Sequence, residues 1–202
     1  MNRDRYLTFG SESEGLYREK ASKFIAFGFP ITDEPDFTHR CALIAKEHHT
    51  CRHVCYAWII GEVGDRYRAN GAGEPAGTAG KPILRQLQSA KLTHAAIVVV
   101  RYFGGTLLGK GGFVHAYAEA AREAIAMNTI IERIVRMSLR MRCVYALVEG
   151  IKNDVAKCEG EVISADYAER CDLLVAIVKS RVPAFIARWE LAGALVIPDQ
   201  PK

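Results

Sequence analysis

The pattern of apolar and polar positions changes period several times along this 202-residue chain, and each change marks an element. Leu16 to Pro30 alternates loosely around Phe24-Ile25-Ala26-Phe27 and predicts one or two strands. Asp33-Glu34-Pro35 then has the acidic groups and proline of a helix start. Phe37, Cys41, Ile44 and Ala45 recur at helical spacing, so that helix should run to about His48. Val54 to Val63 reads as a strand, and Gly64 to Lys81 as one long glycine-rich loop around Pro75. A helix follows from Pro82, with Ile83, Leu84, Leu87 and Ala90 on one face. Ala95 to Val100 is uninterrupted apolar sequence, as a strand buried on both faces requires. After a loop of glycines, Phe113, Ala116, Tyr117, Ala120, Ala121 and Ala124 form one helical stripe ending near Met127. His115, Glu119 and Arg122 are left on the wetter side of that helix.

A second pattern begins at Ser138. Leu139 to Leu147, Glu161 to Tyr167 and Asp172 to Lys179 read as strands, with Leu195-Val196-Ile197 closing the sheet. Val148, Ile151, Val155 and Cys158 mark one helix between them, and Val182, Phe185, Ile186 and Trp189 another. The resulting β-α-β-β-α-β order is the ferredoxin-like split βαβ motif. The chain therefore reads as two α+β domains, 1–133 and 134–202, joined near Thr129 to Met137.

Composition adds limits. Half of the residues are hydrophobic and a quarter charged, ordinary for a globular protein. The apolar runs fall well short of the ~20 residues of a membrane span, so no membrane partner is expected. Met1 to Tyr6 is polar and no apolar signal region follows, which points to the cytosol. Six irregularly spaced cysteines within apolar patterns suit reduced core thiols. The net charge of +4 resides wholly in residues 1–136, because from Met137 onward nine basic groups, Lys202 included, balance nine acidic ones. That asymmetry hints at an anionic partner.

Three constellations carry potential chemistry. Gly104-Gly105-Thr106-Leu107-Leu108-Gly109-Lys110-Gly111 nearly matches the phosphate-loop pattern, but Gly111 stands where a magnesium-binding hydroxyl is required. What remains is a possible anion nest, with amides of Gly104, Gly105, Gly111 and Gly112 and the cations Arg101, Lys110 and Lys81. The plain alternative is that the glycines permit a tight strand-to-helix turn. In Asn70 to Lys81, Thr78 or Gly80 is placed to cap the following helix, and Glu74 is the loop's one carboxylate. With no second carboxylate beside it, Glu74 is expected to fix the loop rather than to do acid–base chemistry. Cys51, His53 and Cys55 would project to one face of a strand, yet their spacing fits no usual zinc pair. Buried thiols beside a hydrogen-bonded histidine is the expected arrangement. A Cys55–His53 nucleophile pair is poor as well, since the partners flank one strand.

These motifs together resemble the IMPACT/YigZ family. The resemblance rests on His53-Val54-Cys55-Tyr56-Ala57, on Gly73-Glu74-Pro75-Ala76-Gly77-Thr78-Ala79-Gly80, and on Arg101-Tyr102-Phe103-Gly104-Gly105 through Leu108-Gly109-Lys110-Gly111-Gly112 to Ala116-Tyr117. Two aspartates of the family pattern are Gly71 and Ala72 here, and an arginine of it is His115, which weakens any metal or acid–base role for that loop. The resemblance implies an N-terminal left-handed βαβ domain, as in GHMP kinases and ribonuclease PH. It also implies a C-terminal domain like the last domain of elongation factor G. Eukaryotic members of the family restrain a starvation-response kinase by competing for its activator.

The expected function is thus a non-catalytic cytosolic regulator linked to translation, binding RNA, a ribosome-associated factor or a protein partner. No cofactor, metal or catalytic residue is implied, and the oligomeric state is left open. The alternative is an enzyme for a small phosphorylated or nucleotide substrate at the glycine loop, with Glu74, His53 and Arg101 as its polar groups.

Overall fold

The longest apolar run forms the middle of a five-stranded sheet in a computed structural model that describes residues 4–199. This strand, β6 (Ala95–Tyr102), is flanked by β3 (Ser22–Pro30) and β4 (His53–Ile60). Outside them lie β2 (Ser13–Glu19) and β5 (Arg66–Asn70), giving the order β2-β3-β6-β4-β5 with antiparallel neighbours throughout. Both faces are covered, which explains why β6 shows no alternation. Ala96 and Val98 pack with Phe37, Trp58 and Ile60 beneath α1 (Glu34–Glu47). Ala95, Ile97 and Val99 face the other way, toward Ile83 and Leu87 of α2 (Gly80–Ser89) and the alanine stripe of α3 (Gly109–Ala126). All six expected stripe residues of α3 are buried, while His115 and Arg122 are exposed.

Several boundaries differ from expectation. Leu16 to Pro30 is two strands joined by a tight turn in which Lys20 and Ala21 have φ of 45° and 62°. The stretch from Gly64 to Lys81 is not one loop, because β5 pairs with β4 along Ala57↔Ala69 and Trp58↔Arg68. Neither Thr78 nor Gly80 caps α2; the residue before the helix is Ala79, and no side chain bonds the first turn. A two-stranded sheet pairs β1 (Arg5–Phe9) with β7 (Ile130–Ile134), where the sequence pattern suggests only a linker.

The described chain divides into two compact units, one of residues 6–133 and one of residues 4–5 with 134–199. In the second, β8 (Arg136–Cys143), α4 (Tyr145–Lys157), β9 (Glu161–Tyr167), β10 (Cys171–Val178), α5 (Val182–Leu191) and β11 (Leu195–Pro198) follow in order. The first strand ends at Cys143 rather than Leu147, since Tyr145 already opens α4. The sheet runs β11-β8-β10-β9, all antiparallel. Leu139, Met141, Leu173, Val175 and Ile177 pack on Val148, Ile151, Phe185 and Trp189. Asp4 belongs to this unit through its carboxylate, which accepts from the Ser180 amide at 3.0 Å and the Ser180 hydroxyl at 2.6 Å.

Candidate functional site

The signature segments meet on a single carboxylate oxygen. Register sets Arg101 directly opposite His53 and Val99 opposite Cys55. Glu74 comes from the loop after β5, where the Asn70 side chain accepts from the Ala72 amide at 2.7 Å and the Glu74 amide donates to Gly71 O at 2.8 Å. Ala72, Gly73 and Gly77 hold positive φ, so the loop turns sharply enough to send Glu74 inward. Its Oε1 accepts from Arg101 Nη1 at 2.8 Å and from the Tyr117 hydroxyl at 2.8 Å. His53 Nε2 lies 3.9 Å from the same atom. The Arg101 and Glu74 side chains are 4% and 2% exposed. An ion pair taken this far out of water survives only where further donors and packing compensate the lost solvation. Here the Tyr117 hydroxyl supplies one donor, and the Phe113 ring lies 4.5 Å from the guanidinium carbon.

The cluster disfavours ionisation of its neutral members. The Cys55 thiol sits 3.2 Å from Gly71 O and 3.3 Å from the Tyr117 oxygen. Burial, reinforced by the nearby Glu74 charge, pushes that thiol up to about 12 despite the hydrogen bond to Tyr117. Burial likewise raises the Tyr117 hydroxyl far above its ordinary value, with Cys55 and Glu74 adding to the effect. A thiol so raised holds no useful thiolate near neutrality and is a poor nucleophile. His53 directs Nδ1 to Ala72 O at 2.7 Å, the hydrogen-bonded histidine that the sequence suggests. Among the described residues, no three His, Cys, Asp or Glu side chains are grouped to hold a metal ion.

The expected anion-binding residues are dispersed between this core and the surface. Arg101 is buried and its charge already faces Glu74, so it does not present a cation to solvent as the glycine-loop reading requires. Gly104 is committed too, its amide donating to the Ser22 hydroxyl at 3.1 Å. A Cβ there would stand 2.1 Å from Ala21 C, which explains the glycine by close approach. Gly105 and Gly109 take positive φ in the turn. Lys110, Gly111 and Gly112 lie in the first turn of α3, and Lys110 and Gly111 are exposed. No side chain caps that turn. Lys81 is exposed on α2, whereas Thr78 is buried with its hydroxyl donating to Pro75 O at 2.7 Å.

Cys55 is weighed from the sequence only as a zinc ligand or nucleophile, and Tyr117 only as one residue of the apolar stripe. A buried tyrosine amid alanines nevertheless needs a partner for its hydroxyl, and that requirement is the available clue.

The Impact N-terminal domain model matches residues 20–125, a span that contains His53, Glu74, Arg101 and Tyr117. The IMPACT family member YigZ of Escherichia coli K12 is 37% identical over 147 residues, which cover 72% of each chain. An IMPACT family member of Haemophilus influenzae is 31% identical over 201 residues, 98% of this chain and 89% of that one. A solved structure described as that of a hypothetical protein shares 28% identity and a TM-score of 0.71, with 98% and 99% of the two chains covered. The matched domain spans the three signature segments, and with these relatives it shows that the chain belongs to the IMPACT family.

Proposed function

We propose that this chain is a non-catalytic, cytosolic regulator linked to translation that engages RNA carried by the ribosome or its associated factors. The observation that carries this reading is the closure of the signature cluster. Glu74 accepts from Arg101 and Tyr117 under cover, Arg101 Nε is buried with no hydrogen-bond partner, and Cys55 is held as a thiol. That arrangement speaks against the enzymatic alternative, which needs a free base or nucleophile facing a substrate. The cluster instead supports a turn whose outer residues, Lys110 and the exposed Gly105 and Gly111, meet the partner. Lys81 contributes a further cation from α2. The link to translation comes from the family.

The same reading takes residues 6–133 as the left-handed βαβ domain of the GHMP kinases and ribonuclease PH. It takes the second unit as a ferredoxin-like domain. The strand order β11-β8-β10-β9, with helices after its first and third strands in sequence, supports the latter.

Co-sedimentation of the full chain with purified ribosomes over a salt series tests the function. Association at low salt should weaken steeply as salt rises, and Lys110→Ala should weaken it further. A chain that stays in the supernatant at low salt overturns the proposal. So does turnover of a phosphorylated metabolite that Glu74→Gln abolishes.

A further inference from the structure

Basic residues from four separate segments lie at the end of the five-stranded sheet where β6 enters the glycine turn, Arg18 and Lys23 on the face of Tyr102. Register places Arg18 opposite Lys23, and Lys23 opposite Tyr102. Lys20 sits in the β2–β3 turn, against which Gly104 is seated without room for a Cβ. The Arg52 amide donates to Arg101 O at 2.9 Å, which fixes Arg52 at the same end, and Lys110 follows across the turn. Arg18, Lys20, Lys23, Arg52 and Lys110 form no salt bridge among the described residues. Residues 103–112 contain no acidic group, and Glu19, the acid of the neighbouring turn, accepts from the Tyr17 hydroxyl. At this end Phe103 is 42% exposed, with the Arg52 and Arg101 guanidinium carbons 5.9 Å and 5.5 Å from its ring centroid.

We infer that this end of the sheet binds single-stranded nucleic acid, with a base stacked on Phe103 beside Arg52 and backbone phosphates held by the lysines and arginines placed along this end. The inference rests on the RNA-binding reading of the chain and specifies its site and strand form. Charge alone suits any polyanion. An exposed aromatic ring beside a guanidinium plane selects one whose units have flat π faces. In a duplex those faces are stacked internally and out of reach, so a single strand is the form the site takes.

Fluorescence anisotropy with a labelled short oligouridylate provides the test, with a blunt RNA duplex and polyglutamate as competitors. Phe103→Ala should weaken oligouridylate binding about tenfold, the size of one base–aromatic stack, without changing the salt slope. Phe103→Trp should retain affinity. Lys23→Ala and Arg52→Ala should each make the slope shallower by about 0.7. Wild-type affinity in Phe103→Ala overturns the stacking site, as does duplex or polyglutamate competing as well as single strand. In either case, ribosome co-sedimentation would leave the broader function standing. Loss of both oligouridylate binding and co-sedimentation would remove the function itself.

Discussion

Glu74 Oε1 shows how a single atom organises this protein, because donors from β6 and α3 converge on it. The adjoining Cys55 thiol gives the cluster a measurable pH signature. Its proton is held up to about 12 in the fold, whereas an unfolded cysteine releases it near ~8.5. The stability this contributes is complete below the unfolded value and is lost as pH rises toward the folded one. Urea unfolding should therefore show stability falling between pH ~9 and ~11. Cys55→Ser, which keeps a small hydrogen-bonding group without that titration, should show a shallower fall. An equally steep fall in the variant would assign the loss elsewhere, with Tyr117 the next group to mutate. The sequence exposes Glu74 and Arg101 as unusual, but not that they pair. Their 27-residue separation and Tyr117's 43-residue distance from Glu74 are bridged only by the tertiary fold, which seats the loop after β5 against β6 and α3.

At the scale of elements, two glycines of the turn before and into α3 differ in what surrounds them. A Cβ at Gly104 would meet Ala21 C at 2.1 Å and Ser22 N at 2.3 Å, while one at Gly111 meets nothing within 4 Å. Gly104→Ala should lower unfolding stability by about 1–3 kcal/mol or more, as overpacking against rigid atoms does. Gly111→Ala, in a helical turn, should instead raise it by about 0.5–1 kcal/mol. Parallel urea titrations distinguish the two, and equal effects would refute this account of the turn. The long strongly periodic elements were legible in the sequence for a related reason: β6, α3 and α5 bury most of what their pattern marks. β5 was not, since Arg66-Tyr67-Arg68-Ala69-Asn70 is exposed throughout and is extended only because β4 offers it a ladder. β1 and β7 were not legible either, each being five residues long and paired with a strand distant in sequence, although β1 buries Thr8 and Phe9. Periodicity reports burial and leaves β5 unmarked, although β9, exposed along its whole length, is legible at its observed bounds.

Across the whole molecule, the unit of residues 4–5 and 134–199 is discontinuous in sequence. Asp4 accepts from the Ser180 amide and hydroxyl and gives its backbone oxygen to the Val135 amide at 2.7 Å. Asp4→Ala should lower the stability of this unit by about 1 kcal/mol, since these exposed bonds exchange with water. Each unit holds one of the two tryptophans, Trp58 in the first and Trp189 in the second. Fluorescence of Trp189 in a Trp58→Phe background should report the shift, while Trp58 in a Trp189→Phe background should report none. A shift at Trp58 alone would contradict the assignment of Asp4. This discontinuity has a consequence for biosynthesis. Asp4 is translated before residues 6–133 and Ser180 after them, so the second unit cannot close until synthesis has passed Ser180. Residues 6–133 are free to fold before that, as an early-emerging domain does. A stalled or truncated product would therefore carry a finished first unit and an Asp4 carboxylate still waiting for Ser180, a difference that limited proteolysis of nascent chains would read directly.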